Sequence, residues 1–355
     1  MKRTALVMKL SARALAAATL LVLSAPAWAA GKSDDPLSLV PADAASVGMV
    51  NLSDLRSSPL SARLFAETDR MTVDGDAARF MEEARLKPRE DVDVVVVAGT
   101  PSKNHEDSSG LVILEGRFDL DKIAAALVAR GAIRTSTPQG DTFLLADKKG
   151  SDSKKAGVLA LLSSHLIVGG DEKSVRAALV QRDAGGSAFR SVSVLGQRLS
   201  LIETGATAWA LVDVTRVPLP AARHGKGSVH GNVDLHVNGK DHHIPIDENG
   251  SDNGMAALHG ALQNVSLVAL QATTKGDALK LSMTGLSADE ETRELIEDSL
   301  RGILAAWRLA VQDKSPDMVS VLRRFKVSHD REGVSVSGTL PGAAVRALAD
   351  KHHRD

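Results

Sequence analysis

The 355-residue chain contains no cysteine and no tyrosine, and aromatic residues make up only 3% of it. Without cysteine the protein has no disulfide, no thiolate metal site, no thiol nucleophile and no lipid-bearing lipoprotein cysteine. Few aromatic faces are available to stack on sugars or unpaired bases, which argues against a carbohydrate-binding module. We therefore expect a fold that is stabilised by packing alone.

Clusters of positive charge are also missing from most of the chain. The first 29 residues carry four of the 43 basic residues and none of the 44 acidic residues, so the remainder is mildly acidic. Binding to nucleic acid or to an anionic membrane surface needs clustered Lys and Arg. Both of these partner classes are therefore disfavoured.

The N-terminal segment has the pattern of a secretory signal peptide. A basic stretch that ends at Arg13 precedes the apolar run 14–23, and a small-residue Ala-x-Ala site follows at 27–29. The apolar run is shorter than the roughly 20 residues that span a bilayer. We expect cleavage after residue 29, no transmembrane segment in the mature chain, and a periplasmic or secreted location.

Strand and helix signals alternate along the rest of the chain. Residues 92–98 and 111–116 are β-branched or apolar runs that predict strands. Asp119 then predicts the N-cap of a helix whose apolar residues follow the i, i+3, i+4 spacing. This pattern predicts an α+β fold in which helices pack on one face of an antiparallel-rich sheet.

The pattern also repeats. Residues 209–214 match the strand predicted at 47–52, and later pieces match at an offset of roughly 160 to 170 residues. We expect two related α+β domains, at residues 30–200 and 201–355, with an exposed insertion at about 218–254.

Histidines are concentrated in and near this insertion, at His224, His230, His236, His242, His243 and His259. An Asn-Gly turn at 238–239 predicts a hairpin that brings His242 or His243 back towards His236 or His230. Imidazole is a common ligand of Zn, Cu and Ni, so His230, His236, His242 and His243 form a candidate metal site. A solvated loop that gathered histidines by drift, or a pH-sensing segment, would give the same composition.

The sequence contains no nucleophile elbow and no zinc-protease helix motif, and it predicts no catalytic residue and no cofactor. We expect a non-enzymatic binding or envelope-associated protein, whose partner is an envelope protein or a small ligand. Metal binding by the histidine-rich segment is the first alternative. A hydrolase with scattered catalytic residues is the second, because such groups are recognised by geometry and not by order.

The mature N-terminus resembles that of a group of exported bacterial proteins of unknown function. The resemblance lies in Pro41-Ala42-Asp43-Ala44, the strand at 47–52 and Asp54-Leu55, with Gly116-Arg117-Phe118-Asp119 before a helix. It covers mainly the first half of the chain. It implies export and a duplicated α+β fold, and it carries no catalytic residues.

Overall fold

The computed structural model describes residues 35–61, 65, 75–101, 109–138, 140–145, 157–183, 188–217, 232–237, 240–245, 264–312 and 316–346. Strands and helices are mixed along these residues, and the strands of the main sheet pair antiparallel throughout. The expected α+β fold with a large antiparallel sheet is therefore confirmed.

Twelve strands form one continuous sheet, and two more form a separate hairpin. The strands are β1 Ser46–Asn51, β2 Val92–Thr100, β3 Ser109–Gly116, β4 Ile133–Thr137, β5 Gly140–Leu144, β6 Gly157–Ser163, β7 Leu166–Asp171, β8 Ala208–Asp213, β9 Asn232–Val237, β10 Lys240–Pro245, β11 Leu267–Thr274, β12 Ala278–Leu286, β13 Lys326–His329 and β14 Gly333–Pro341. The order across the large sheet is β13-β14-β12-β11-β8-β1-β2-β3-β7-β6-β5-β4, and β9 and β10 form the hairpin.

The helices connect these strands and cover the sheet. They are α1 Leu52–Ser57, α2 Gly75–Glu83, α3 Pro88–Asp91, α4 Leu120–Ala129, α5 Glu172–Asp183, α6 Ala188–Val192, α7 Val194–Gln197, α8 Glu290–Val311 and α9 Pro316–Leu322. Short 3-10 turns add Pro36–Leu39 and Leu199–Leu201. Among the described residues, no helix combines the length and apolarity that crossing a bilayer requires.

The centre of the sheet is the pairing of β1 with β8, which joins the two halves of the chain. Outwards from β8 the order is β11, β12, β14, β13, and outwards from β1 it is β2, β3, β7, β6. The two sides therefore repeat the same succession of strands, and β5 and β4 extend one side. The halves share one sheet, and the domain boundary expected at residue 200 lies shortly before β8.

One surface of the sheet, here called face A, is covered by helices of the first half. Val175 and Ala178 of α5, Phe189 of α6 and Leu195 of α7 are buried there. They pack in one cluster with alternate residues of the central strands: Val47, Met49, Val94, Val96, Leu111, Ile113, Trp209 and Leu211. Beyond Leu286 this apolar core ends, and the outer strands present half-buried hydroxyl groups: Ser282, Thr284, Ser335, Ser337 and Thr339.

The opposite surface, face B, carries two buried clusters, and they meet where the Arg308 guanidinium of α8 donates to the Leu322 carbonyl of α9. Leu55 of α1, Leu127 of α4 and Val321 of α9 belong to one buried cluster, which includes Val50 of β1 and Ala208 of β8. Ile296 of α8 belongs to another, with Leu300 and Leu304 packed beside it against residues of β13 and β14. Helices therefore lie on both faces around the first half, whereas α8 and α9 of the second half lie on face B.

Local contacts define several element ends. The long helix begins at Glu290 and is capped by Asp289, which accepts a hydrogen bond from the Thr292 amide at 2.6 Å. Pro341 ends β14, and residues 342–346, directly after it, are helical. The N-cap at Asp119 is confirmed, since its carboxylate accepts from the Lys122 amide at 3.2 Å.

Candidate functional site

The predicted histidine site lies partly on the β9–β10 hairpin. His230 lies outside the described residues, while His236 is in β9 and His242 and His243 are in β10. The hairpin expected from the Asn-Gly turn is present, and its register pairs His236 with Asp241 and His243 with Asp234. Because positions alternate between the two sides of a strand, positions 234, 236, 241 and 243 share one side and 242 takes the other.

A different feature stands out at the middle of the large sheet. A single cross-strand row runs through six strands on face B, and every residue in it is apolar. The consecutive pairs are Val112 with Val97, Val97 with Gly48, Gly48 with Ala210, Ala210 with Leu270, and Leu270 with Met283. We call these six residues the central strip.

The central strip is partly exposed although it crosses the middle of the sheet: Gly48, Ala210 and Leu270 are half-buried, and the three residues towards its ends are exposed. Val112, Val97 and Met283 expose 38%, 40% and 39% of their surfaces. On one side of the strip, Val50 and Ala208 are buried in the cluster that includes α1 and α4, and on the other side Val268 packs in the α8 cluster. Among the described residues, the strip therefore lies between two buried clusters of face B.

The side chains at the centre of the strip are smaller than those towards its ends, so the surface of the sheet is depressed there. Gly48 and Ala210 pair directly where the two halves meet, and the larger Val, Leu and Met side chains lie towards the ends. A β-carbon added at Gly48 would be 3.4 Å from the Trp209 carbonyl oxygen and 3.7 Å from the Ala210 β-carbon, which are ordinary van der Waals contacts, so a β-carbon fits there. With neighbouring strands about 4.8 Å apart, six strands give a strip of about 24 Å.

The chemistry of the strip is that of a binding surface. None of its six side chains can act as an acid or a base, and the Met283 thioether sulfur is their one heteroatom. Contiguous exposed apolar surface on a folded protein marks a site of contact with a ligand or partner. The arrangement favours the burial of an apolar group and offers no group for a reaction.

A polar cluster lies apart from the strip, where the first turns of α8 meet the end of β13. The ring of His329 forms a hydrogen bond through Nδ1 to the buried carboxylate of Glu297, and its Nε2 is 3.3 Å from Oε1 of Glu290. Ligand atoms of Glu290, Glu294 and His329 all lie within 4.8 Å of one another. Arg293, which is also buried, bonds to Glu290 and donates to the Ser287 carbonyl at 2.6 Å.

These contacts change the acid–base properties of the cluster. The Glu297 hydrogen bond, and the negative charges of Glu297 and Glu290, raise the pKa of His329 above its ordinary value. The hydrogen bond from Arg293 lowers the pKa of Glu290, and the charges of Arg293 and His329 act in the same direction. Glu290 is therefore a carboxylate at neutral pH, and it lies beside an imidazole that is held in a fixed orientation.

Neither arrangement was identified from the sequence. The strip combines residues from six strands, each of which has an ordinary strand sequence on its own. Glu290 and Glu294 have a visible i, i+4 spacing on a predicted helix, which was a usable signal. His329 is 35 positions further along the chain than Glu294, and only the strand order brings it to α8.

Comparisons with known proteins add little. No protein-family model matches the chain, and no curated protein is detectably similar to it. Two solved structures of TP0453 align over 90% of this chain. Crystal form III gives 10% identity, complete coverage of that chain and a TM-score of 0.44, and crystal form I gives 9%, 98% and 0.42. A likeness of this degree supports no argument about function.

Proposed function

We propose that the chain is an exported, non-enzymatic binding protein that holds an extended apolar chain of a small amphiphile along the central strip. The observation that carries this proposal is the exposed apolar row from Val112 to Met283 across the middle of the sheet. A strip that is one residue wide and about 24 Å long matches a single unbranched hydrocarbon chain better than a globular partner.

The energetics of such binding are favourable. Each methylene group removed from water contributes about 0.8 kcal/mol, so ten buried methylenes contribute on the order of 8 kcal/mol. Loss of translational freedom and ordering of the chain subtract from this gain. The gain alone would correspond to a micromolar dissociation constant, so binding is weaker than micromolar once these costs are subtracted.

The location of the strip agrees with an internal duplication of the chain. The pattern match that aligns residues 47–52 with 209–214 places Gly48 opposite Ala210, the two residues that pair at the centre of the strip. The matching strand order on the two sides of β1 and β8 supports the same duplication. Ligand sites commonly form where two such units meet.

Export to the periplasm or the medium is part of the proposal. It is supported by the basic, apolar and small-residue pattern of residues 1–29. A ligand with a hydrocarbon chain is poorly soluble in the aqueous space outside the cytoplasmic membrane, so a carrier with an apolar strip has a use there.

Titration of the mature chain with dansyl-labelled undecanoic acid tests this proposal. The charged substitutions Val97→Glu and Met283→Glu should weaken binding tenfold or more, since a carboxylate would lie beside the hydrocarbon chain. Gly48→Phe should also block the strip, because it fills the low centre. Val180→Glu is the matched control, since Val180 is a valine on α5 that is 64% exposed and lies outside the strip.

The control should bind the probe as the unmodified chain does, and all four variants should retain the thermal unfolding midpoint within a few degrees. Equal binding by the strip variants and the Val180→Glu control would reject the strip as the site. Failure of the unmodified chain to bind the probe would reject an apolar chain as its ligand.

Metal binding by the histidine-rich insertion is a second candidate function. The observation in its favour is the hairpin register that groups positions 234, 236, 241 and 243, which hold two histidines and two aspartates. Calorimetric titration with Zn, Cu and Ni should give stoichiometric binding that is lost when residues 222–253 are deleted. Weak heats of equal size in both proteins would reject this function.

A further inference from the structure

Glu290 and Glu294 carry two carboxylates on one side of α8, one helical turn apart. Like charges at i and i+4 repel each other and destabilise a helix by a few tenths of a kcal/mol. Arg293 compensates Glu290, but within the described part of the chain Glu294 has no hydrogen bond or ion pair. An uncompensated carboxylate beside a second one is a position at which a cation would be stabilised.

His329 supplies a nitrogen ligand to the same place from the neighbouring strand. Glu297 is only 5% exposed, and its carboxylate bonds to Nδ1 of the ring, which leaves Nε2 directed at Oε1 of Glu290. A carboxylate that holds the distal nitrogen of a metal-binding histidine is a recurrent feature of metal sites, because it orients the ring and increases its basicity.

Arg293 fixes the other oxygen of Glu290. It is a buried residue whose guanidinium bonds to Glu290 Oε2 and to the Ser287 carbonyl, so the carboxylate cannot rotate freely. Oε1 therefore remains on the side of His329 and Glu294. The positive charge of Arg293 opposes a nearby cation, and it limits the affinity of such a site to a moderate value.

From this geometry we propose that Glu290, Glu294 and His329 bind a divalent transition-metal ion, for which Zn²⁺ is the appropriate probe. Two carboxylate oxygens and one imidazole nitrogen form a ligand set that Zn²⁺ accepts, with water in the fourth position. Glu290 and Glu294 are exposed, so both the ion and its water have access from solvent. Glu297 is a positioning residue in this proposal and is not a ligand.

None of the three ligand residues belongs to the central strip or to the histidine-rich insertion. The test must distinguish Zn²⁺ binding by these three residues from Zn²⁺ binding by the insertion. We suggest calorimetric titration of the full mature chain with Zn²⁺. Glu294→Gln is the diagnostic variant, because Glu294 is exposed and its removal breaks no ion pair. Glu291→Gln is the matched control, since it is an exposed glutamate in the same turn that does not belong to the group of ligand atoms within 4.8 Å.

A third variant replaces His224, His230, His236, His242, His243 and His259 by Asn. We expect one equivalent of Zn²⁺ to be lost, or to bind at least tenfold more weakly, in Glu294→Gln and in His329→Gln. The same equivalent should persist in Glu291→Gln and in the six-histidine variant. Equal binding by Glu294→Gln and Glu291→Gln, complete loss in the six-histidine variant, or no binding by the unmodified chain would each overturn the proposal.

Discussion

Asp54 is a charged residue in the first turn of α1 that is almost removed from solvent, with 8% of its surface exposed. Its amide donates to the Asn51 side chain, which caps the helix at 3.1 Å. Burial raises the pKa of the Asp54 carboxyl to about 6, and the charge of Arg56 offsets part of this increase. The folded state therefore keeps the Asp54 proton up to a higher pH than the unfolded chain does.

The raised pKa predicts that the stability of the protein falls as the pH rises from about 4 to about 6. In this window the folded state holds a proton on Asp54 that the unfolded state has released. Asp54→Asn removes the charge and should flatten this part of the stability profile. Two pKa units correspond to about 3 kcal/mol. This value is the upper limit of the unfolding free energy that Asp54→Asn should gain over the unmodified chain at pH 7.

Urea unfolding of both proteins at several pH values between 4 and 8 checks this prediction. Asp43→Asn, at an exposed position near the start of β1, serves as the control and should leave the profile unchanged. If Asp54→Asn were less stable at pH 7 than at pH 4 by as much as the unmodified chain, another group would account for the pH dependence.

At the scale of single elements, the sequence predicted those with a strong local pattern. Helix α4 was predicted because Asp119 caps it and its apolar residues have helical spacing, and β2 because four consecutive valines lie in it. Strand β4 was not predicted, since Ile133 and the three residues after it are exposed and give no burial alternation. Helices α6 and α7 are too short for a periodic signal.

The central strip and the polar cluster required the sheet order, which no local pattern encodes. Val97, Val112 and Met283 have the sequence signature of ordinary strand residues, and their local sequence does not show that they are exposed. His329 likewise ends a strand, and the carboxylates around it come from α8, which its own local sequence does not reveal. The sequence thus predicted the elements, and their pairing creates the sites.

The close approach of β3 and β7 gives a prediction at the scale of a strand pair. A β-carbon at Gly170 would be 2.3 Å from the carbonyl oxygen of Gly110, whereas one at Gly110 would meet nothing within 4 Å. Gly170→Ala must therefore displace backbone in the sheet and should cost roughly 2 kcal/mol of unfolding free energy. Gly110→Ala should leave the unfolding free energy nearly unchanged. Equal urea midpoints for the two variants would contradict the strand spacing described for β3 and β7.

At the scale of the whole molecule, the pairing of β1 with β8 makes the two halves depend on each other. Cutting the chain at the expected boundary of residues 200 and 201 would leave the backbone of both strands unpaired on one side. It would also uncover Met49 and Trp209, which are opposite each other and buried. Exposed edges of this kind promote association between chains.

We therefore expect fragments 30–200 and 201–355 to aggregate when they are expressed separately and to form a soluble complex when they are expressed together. Size-exclusion chromatography distinguishes these states. Two soluble monomeric fragments, each with its own cooperative unfolding transition, would contradict this dependence. They would instead support two independently folding domains.

The central claim is that an apolar chain lies along the central strip where the halves meet. The most direct measurement is the anomalous scattering of bromine in crystals of the mature chain grown with a fatty acid that carries bromine on its hydrocarbon chain. The account predicts a bromine peak on face B above the row from Val112 to Met283, close to Gly48 and Ala210. A peak elsewhere on the molecule, or none at a ligand concentration that saturates binding in solution, would contradict it.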